Sequence, residues 1–176
     1  MLELKNIGIR AIELEDLALI QRWRNNEKLR KYFREYRDFS RDQLQRWYEG
    51  MIQSKDFEMF VIVDLSNNET VGVTGLTYID WVNRHSDLHF YIGKNSEWID
   101  EQYAPIAIKL ILNYGFNNLN MNKLWVEVYE IDDKKLNFFQ SIGFEIDATF
   151  RDHYYYDGKY FNSHILSLLK KDAIIG

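Results

Sequence analysis

The 176-residue chain contains no cysteine. That excludes disulfides, a thiolate nucleophile and cysteine-ligated zinc together. Proline is nearly missing as well: Pro105 stands alone, and nine glycines are scattered along the chain. No linker, repeat or low-complexity tract divides the sequence, which predicts one domain over residues 1–176. A basic excess is lacking too, since 22 Lys and Arg face 27 Asp and Glu for a net charge of −5. Surfaces that neutralise nucleic-acid phosphates carry a clustered positive excess, so no nucleic-acid partner is expected. No apolar run reaches the roughly 20 residues that span a bilayer. Met1-Leu2-Glu3-Leu4-Lys5 also lacks the build of a secretory leader, a charged stretch followed by an apolar one. The expectation is a cytoplasmic protein without a membrane partner. Of four histidines, His85 and His89 share one strand face, but no third ligand lies near them in sequence, so no metal is expected.

What is present is apolar and aromatic. Hydrophobic residues make up 46% of the chain and aromatics 16%, enough to build a core and to exclude a disordered chain. Residues 2–11 read as a strand. Leu14, Leu17, Ile20 and Trp23 recur at helical spacing over residues 15–25. Ser40 and Gln43 form a capping-box pattern before a second helix that carries Leu44, Trp47 and Met51 on one stripe. Strands follow at 57–65 and 69–79, joined by the turn sequence Ser66-Asn67-Asn68, and a shorter one at 86–92. A helix over 105–119, a strand over 123–129 and a helix from Asp132 or Asp133 to Gln140, ended by Gly143, come next. A strand at 144–150 then leads to two β-rich arms joined by Asp157-Gly158. The order β-α-α-β-β-β-α-β-α-β-β predicts an α/β (α+β) fold: a mixed, twisted sheet of about six or seven strands flanked by about four helices.

This order, with three local segments, resembles the GNAT N-acetyltransferase superfamily. IRAIELEDLALIQRWRNN is similar to the opening of the branch that includes ribosomal-protein, spermidine and amino-sugar N-acetyltransferases. KLWVEVYEIDDKKLNFFQSIGF resembles its strand-then-helix ending on Gly-Phe, and DHYYYDGKYFNSHILSLLKKD resembles its last hairpin. The resemblance implies acetyl-CoA bound where two parallel strands splay apart, and direct attack by a primary amine of a small molecule, amino sugar or peptide N-terminus. It implies donor contacts from the backbone at Phe90, Tyr91 and Ile92, and from the helix-opening loop at Gln102, Tyr103 and Ala104. Asp132, Lys135 and Phe139 on the following helix complete the implied donor contacts. A homodimer fits the same branch.

The resemblance also locates departures. Asp100 and Gln102 stand where the family has glycines that let backbone N–H groups approach a diphosphate. Carboxylates are favourable at a helix N-terminus in their own right, so this loop is equally suited to capping its own helix. The family's Asn is Asp132, and its usual acid, a Tyr, falls at Phe139, which has no proton to give. Asp87, which aligns with the acidic residue that often begins the central strand, is the first candidate base, and Glu127 the second. Tyr155, in the run Tyr154–Tyr156, is the candidate acid. Three readings follow: an acetyl-CoA-dependent N-acetyltransferase, a non-catalytic binding or regulatory module of the same fold, and an enzyme using a shorter acyl donor without the diphosphate. The sequence carries no recognisable acceptor motif.

Overall fold

A computed structural model of the chain describes residues 1–174. Its centre is one eight-stranded sheet in the order β1-β2-β3-β4-β5-β6-β8-β7. The strands are β1 (Leu2–Leu4), β2 (Ile7–Ala11), β3 (Glu58–Asp64), β4 (Glu69–Asp80), β5 (His85–Ile92), β6 (Lys123–Tyr129), β7 (Glu145–Tyr156) and β8 (Lys159–Leu169). The helices are α1 (Leu17–Arg24), α2 (Glu27–Arg30), α3 (Arg41–Gln53), α4 (Ala104–Asn113) and α5 (Asp133–Ser141). Every sheet neighbour is antiparallel except β5 and β6.

The sheet has one strand more than the upper expectation because residues 2–11 are a hairpin. Leu2 and Leu4 sit on even positions and Ile7 and Ile9 on odd ones, so the alternation changes phase at Lys5-Asn6. Lys5 takes a left-handed φ of 56° to turn the chain there. Other local signals hold. Ser40 Oγ accepts from the Gln43 N–H at 3.2 Å while Gln43 Oε1 accepts from the Ser40 N–H at 2.9 Å. Asp157 and Gly158, both at positive φ, close the last hairpin. α2, four residues with Asn26 as its cap, was not signalled by any periodic pattern.

The core forms on both sheet faces. Trp23 of α1 and Phe33 pack edge-on against Tyr91 on one face, and Phe138 of α5 stacks on Phe90 on the other. Gly93 lets Trp23 come this close, because a Cβ there would stand 2.1 Å from the indole. Val61, Ile62, Leu76, Leu88, Ile92, Ile111 and Leu124 are fully buried, each contributing about 1.5–3 kcal/mol by burial.

One irregularity positions the site. The parallel ladder between β5 and β6 runs only from His85↔Lys123 to Asp87↔Trp125, although both strands continue beyond it. The two strands part after Asp87 and leave a wedge. In the β4–β5 ladder, Gly93 donates to the Val71 carbonyl. The two-residue alternation then turns the backbone of Tyr91, His89 and Asp87 toward β4, and that of Phe90 and Ile92 toward the wedge.

Candidate active site

Asp87 stands at the apex of the wedge and is buried. Its Oδ2 accepts from Arg34 Nη1 at 2.8 Å, and Arg34 Nε donates to Glu127 Oε2 at 2.7 Å. Arg34 thus ties the two carboxylates, one from each parting strand. Burial pushes the Asp87 carboxyl above the usual carboxylate range, against the pull of Arg34. Glu127 also accepts from the Ser163 hydroxyl at 2.5 Å, which anchors it to β8.

Above Asp87, between the sheet and the layer of α1 to α3, lies a cavity of about 260 Å³. Its outer wall is aromatic and aliphatic, with Phe39, Leu44, Trp47, Phe57 and Met59. Its inner wall carries Asp87, Glu127, Tyr129 and Lys135. Lys135 reaches from α5 into the wedge, where Nζ donates to the Glu127 carbonyl at 3.3 Å and lies 5.4 Å over the Trp98 ring. Burial lowers the pKa of its ammonium, opposed by Asp132 and Asp87. A buried base at the apex and a buried ammonium in the wedge flank the point where the strands separate. Such a pair suits proton removal on one side of a bond and proton delivery on the other.

The loop from β5 to α4 shapes the open end of the wedge. The Ile92 N–H donates to the Trp98 carbonyl at 2.7 Å and the Ile92 carbonyl accepts from the Trp98 N–H at 3.0 Å. Trp98 therefore occupies the wedge edge of β5. Its indole N–H crosses to the far side and donates to Asp132 Oδ2 at 2.7 Å, while its ring stacks on Tyr91 and Tyr32. Asp132 caps α5 through its other oxygen, which accepts from the Lys135 N–H at 3.1 Å, and burial raises its pKa. Asn95, Ser96 and Trp98 in this loop all hold left-handed φ near 60°. At the start of α4, Asp100 Oδ1 accepts from the N–H groups of Tyr103 and Ala104 at 2.9 and 2.8 Å.

Residues 9–165 match the family profile described as an acetyltransferase (GNAT) domain. The chain belongs to the GNAT acetyltransferase family. As a member it is an acetyl-CoA-dependent N-acetyltransferase. This GNAT domain is 25% identical over 158 residues to the spermidine N(1)-acetyltransferase of Escherichia coli K12, covering 90% of this chain and 83% of the relative. It is 24% identical over 172 residues to N-acetyltransferase p20 of Bacillus licheniformis, covering 96% and 95%. The solved spermidine N-acetyltransferase of Vibrio cholerae, in complex with CoA and spermine, superposes with a TM-score of 0.88 at 23% identity, covering 95% of this chain and 97% of that one.

The candidates named from the sequence fall into two groups. Asp87, Glu127, Lys135, Asp132 and the backbone of Phe90 and Ile92 do converge on the wedge. Ile92 already bonds to Trp98, which leaves Phe90 as the backbone position open to a donor. The others lie elsewhere or are engaged. Tyr91 turns its backbone to β4 and its side chain into the cavity. The Tyr103 and Ala104 N–H groups are held by Asp100, so this loop caps its own helix as the sequence allowed. The Tyr103 hydroxyl faces away, donating to Asp64 at 3.1 Å. Gln102 is exposed beside them. Phe139 is fully buried against Phe138 and Phe144, so it packs the core and does not line the cleft. Tyr155 is 61% exposed against Tyr160, on the outer side of the last hairpin, which removes it as the acid of the wedge. Sequence reasoning missed Arg34 and Trp98, whose partners are distant in sequence, and Arg24, which also lines the cavity.

Proposed function

We propose that this chain transfers the acetyl group of acetyl-CoA to a primary amine presented from the α1–α3 side, with Asp87 as base and Lys135 as acid. The observation that carries the reading is the end of the β5–β6 ladder at a buried carboxylate, with a buried ammonium inside the resulting wedge. Asp87, which lines the cavity, takes a proton from the incoming ammonium and frees its lone pair. The amine nitrogen bonds to the thioester carbonyl carbon, the C–S bond breaks, and the second N–H proton passes to water. Lys135 delivers a proton to the departing sulfur and regains one from water, and the proton on Asp87 returns to water. Positioning in the wedge accounts for most of the acceleration. Asp87 must be ionised and Lys135 charged, so the rate falls on both the acid and the alkaline side, and Lys135→Met removes the alkaline limb.

The donor must displace Trp98 from the edge of β5, and this closed loop is the observation that favours the alternative of a non-catalytic module. Titrating acetyl-CoA by calorimetry, then measuring CoA release with a panel of primary amines, separates the two. Heat with turnover supports transfer. No heat at millimolar acetyl-CoA overturns it.

We also infer self-association. A solved relative from Vibrio cholerae is described as dodecameric, and the β7–β8 arm here exposes Phe150, Tyr155, Tyr156 and Tyr160. Light scattering that finds only a monomer at micromolar concentration would refute it.

A further inference from the structure

Arg24 projects from α1 into the acceptor cavity and finds no partner there. Among the described residues it makes no hydrogen bond and no ion pair, and its guanidinium lies 3.9 Å from the centre of the Phe33 ring and 5.1 Å from that of Phe39. Arginine does not discharge, so this is a standing positive charge in a mostly apolar chamber. The nearby carboxylates are committed elsewhere: Glu35 to Arg37 at 2.8 and 2.9 Å, and Asp87 and Glu127 to Arg34.

Two more polar groups face the same chamber. The Tyr91 hydroxyl is fully buried and has no hydrogen-bond partner. His89 stands edge-on to Tyr91 at 5.5 Å, and burial together with the Arg24 charge pushes its pKa down to about 3, so it is neutral. A phenol O–H left unpaired in a buried place costs free energy until something accepts from it, and beside it Arg24 holds a charge with no counter-ion.

We propose that Arg24, Tyr91 and His89 form a subsite for a carboxylate carried by the acyl acceptor, so that the acceptor is an amine and a carboxylate on one apolar body. The proposal rests on the transfer reading above. Geometry sets the spacing. His89 and Tyr91 lie two and four residues beyond Asp87 on the same face of β5, about 7 and about 13 Å along the strand. A peptide of about two to four residues with an apolar side chain, its N-terminus at Asp87 and its C-terminal carboxylate toward His89 and Tyr91, spans this range at about 3.3–3.6 Å per residue. The outer wall of Phe39, Leu44, Trp47 and Phe57 receives its side chain. A polyamine brings further positive charge toward Arg24 and Arg34 and offers them no acceptor.

The test compares Ala-Phe with its C-terminal amide, which differ only in that charge, using acetyl-CoA and the full chain. The acid is expected to have the higher kcat/KM by about tenfold to a hundredfold, the range for a hydrogen-bonded charge pair. Arg24→Gln should bring the acid-to-amide ratio close to one, and Tyr91→Phe, nearly isosteric, should lower it by several-fold. Binding of both peptides to the CoA-loaded protein, measured by calorimetry, must show the same order. An acid-to-amide ratio near one, or a preference for spermidine, overturns the subsite while leaving acetyl transfer intact. Loss of acetyl-CoA binding itself would instead overturn the underlying reading. Succinyl-CoA is the second arm: if it replaces acetyl-CoA as preferred donor and loses that preference in Arg24→Gln, the carboxylate belongs to the acyl group and the acceptor assignment fails.

Discussion

Trp98→Phe should tighten the binding of acetyl-CoA. The substitution keeps a ring to stack on Tyr91 and Tyr32 and removes only the indole N–H that reaches Asp132 at 2.7 Å. A hydrogen bond to a charged acceptor is worth about 1.5–3 kcal/mol. Asp132 would then be left with a buried oxygen unpaired in the closed loop, so the cost falls on that state alone. If the donor must open the loop to enter, its apparent affinity rises by the same amount, roughly tenfold to a hundredfold at 1.4 kcal/mol per decade. The closed state is already under strain. Asn95, Ser96 and Trp98 hold left-handed backbone, each costing on the order of 1 kcal/mol for a non-glycine residue. Calorimetry of acetyl-CoA against wild type and variant gives both dissociation constants directly. A constant unchanged within about twofold, or weaker binding, would show that Trp98 does not gate the wedge.

Two further outcomes follow from the same contacts. Asp100→Gly with Gln102→Gly frees the Tyr103 and Ala104 N–H groups and removes a carboxylate from the expected diphosphate position. Acetyl-CoA should bind about tenfold tighter with a weaker salt dependence, while loss of the cap lowers stability by about 1 kcal/mol; tighter binding with an unaltered salt dependence would rule out diphosphate repulsion. His89 has a folded pKa near 3 against an ordinary value of 6.5, so the folded state resists protonation. Its contribution is present above pH 6.5 and is lost as pH falls toward 3, by about 2 kcal/mol at pH 5. His89→Gln should therefore flatten thermal stability between pH 7 and 5, and an equally steep fall in the variant would contradict the assignment.

The fold was legible because its signals are local. Ser40 with Gln43, Asp157-Gly158, Pro105 in the first turn of α4 and the Asp132 cap each act within a few residues. Even the additional strand has a local sign in the phase change between Leu4 and Ile7. The candidate carboxylates could be placed where strand position decides it: Asp87 and Glu127 lie on β5 and β6 whatever the loops do. It was not legible where contacts join distant segments. Trp98 meets Asp132 34 residues on, and Arg34 meets Asp87 53 residues on. Nothing in the spacing of either residue announces the partner. Tyr155 fails for the opposite reason, since strand alternation put it on the outer face of a hairpin whose register shifts between Phe150 and Tyr154.

The central claim is that acetyl transfer occurs at the apex where β5 and β6 part, with Asp87 taking the proton. Asp87→Asn tests it most directly, with acetyl-CoA binding measured by calorimetry and transfer to the best acceptor followed in a single turnover. The expected result is a dissociation constant for acetyl-CoA within a few-fold of wild type and a transfer rate lower by about a hundredfold or more, with the acid limb of the pH profile gone. A transfer rate equal to wild type across the pH range would contradict it.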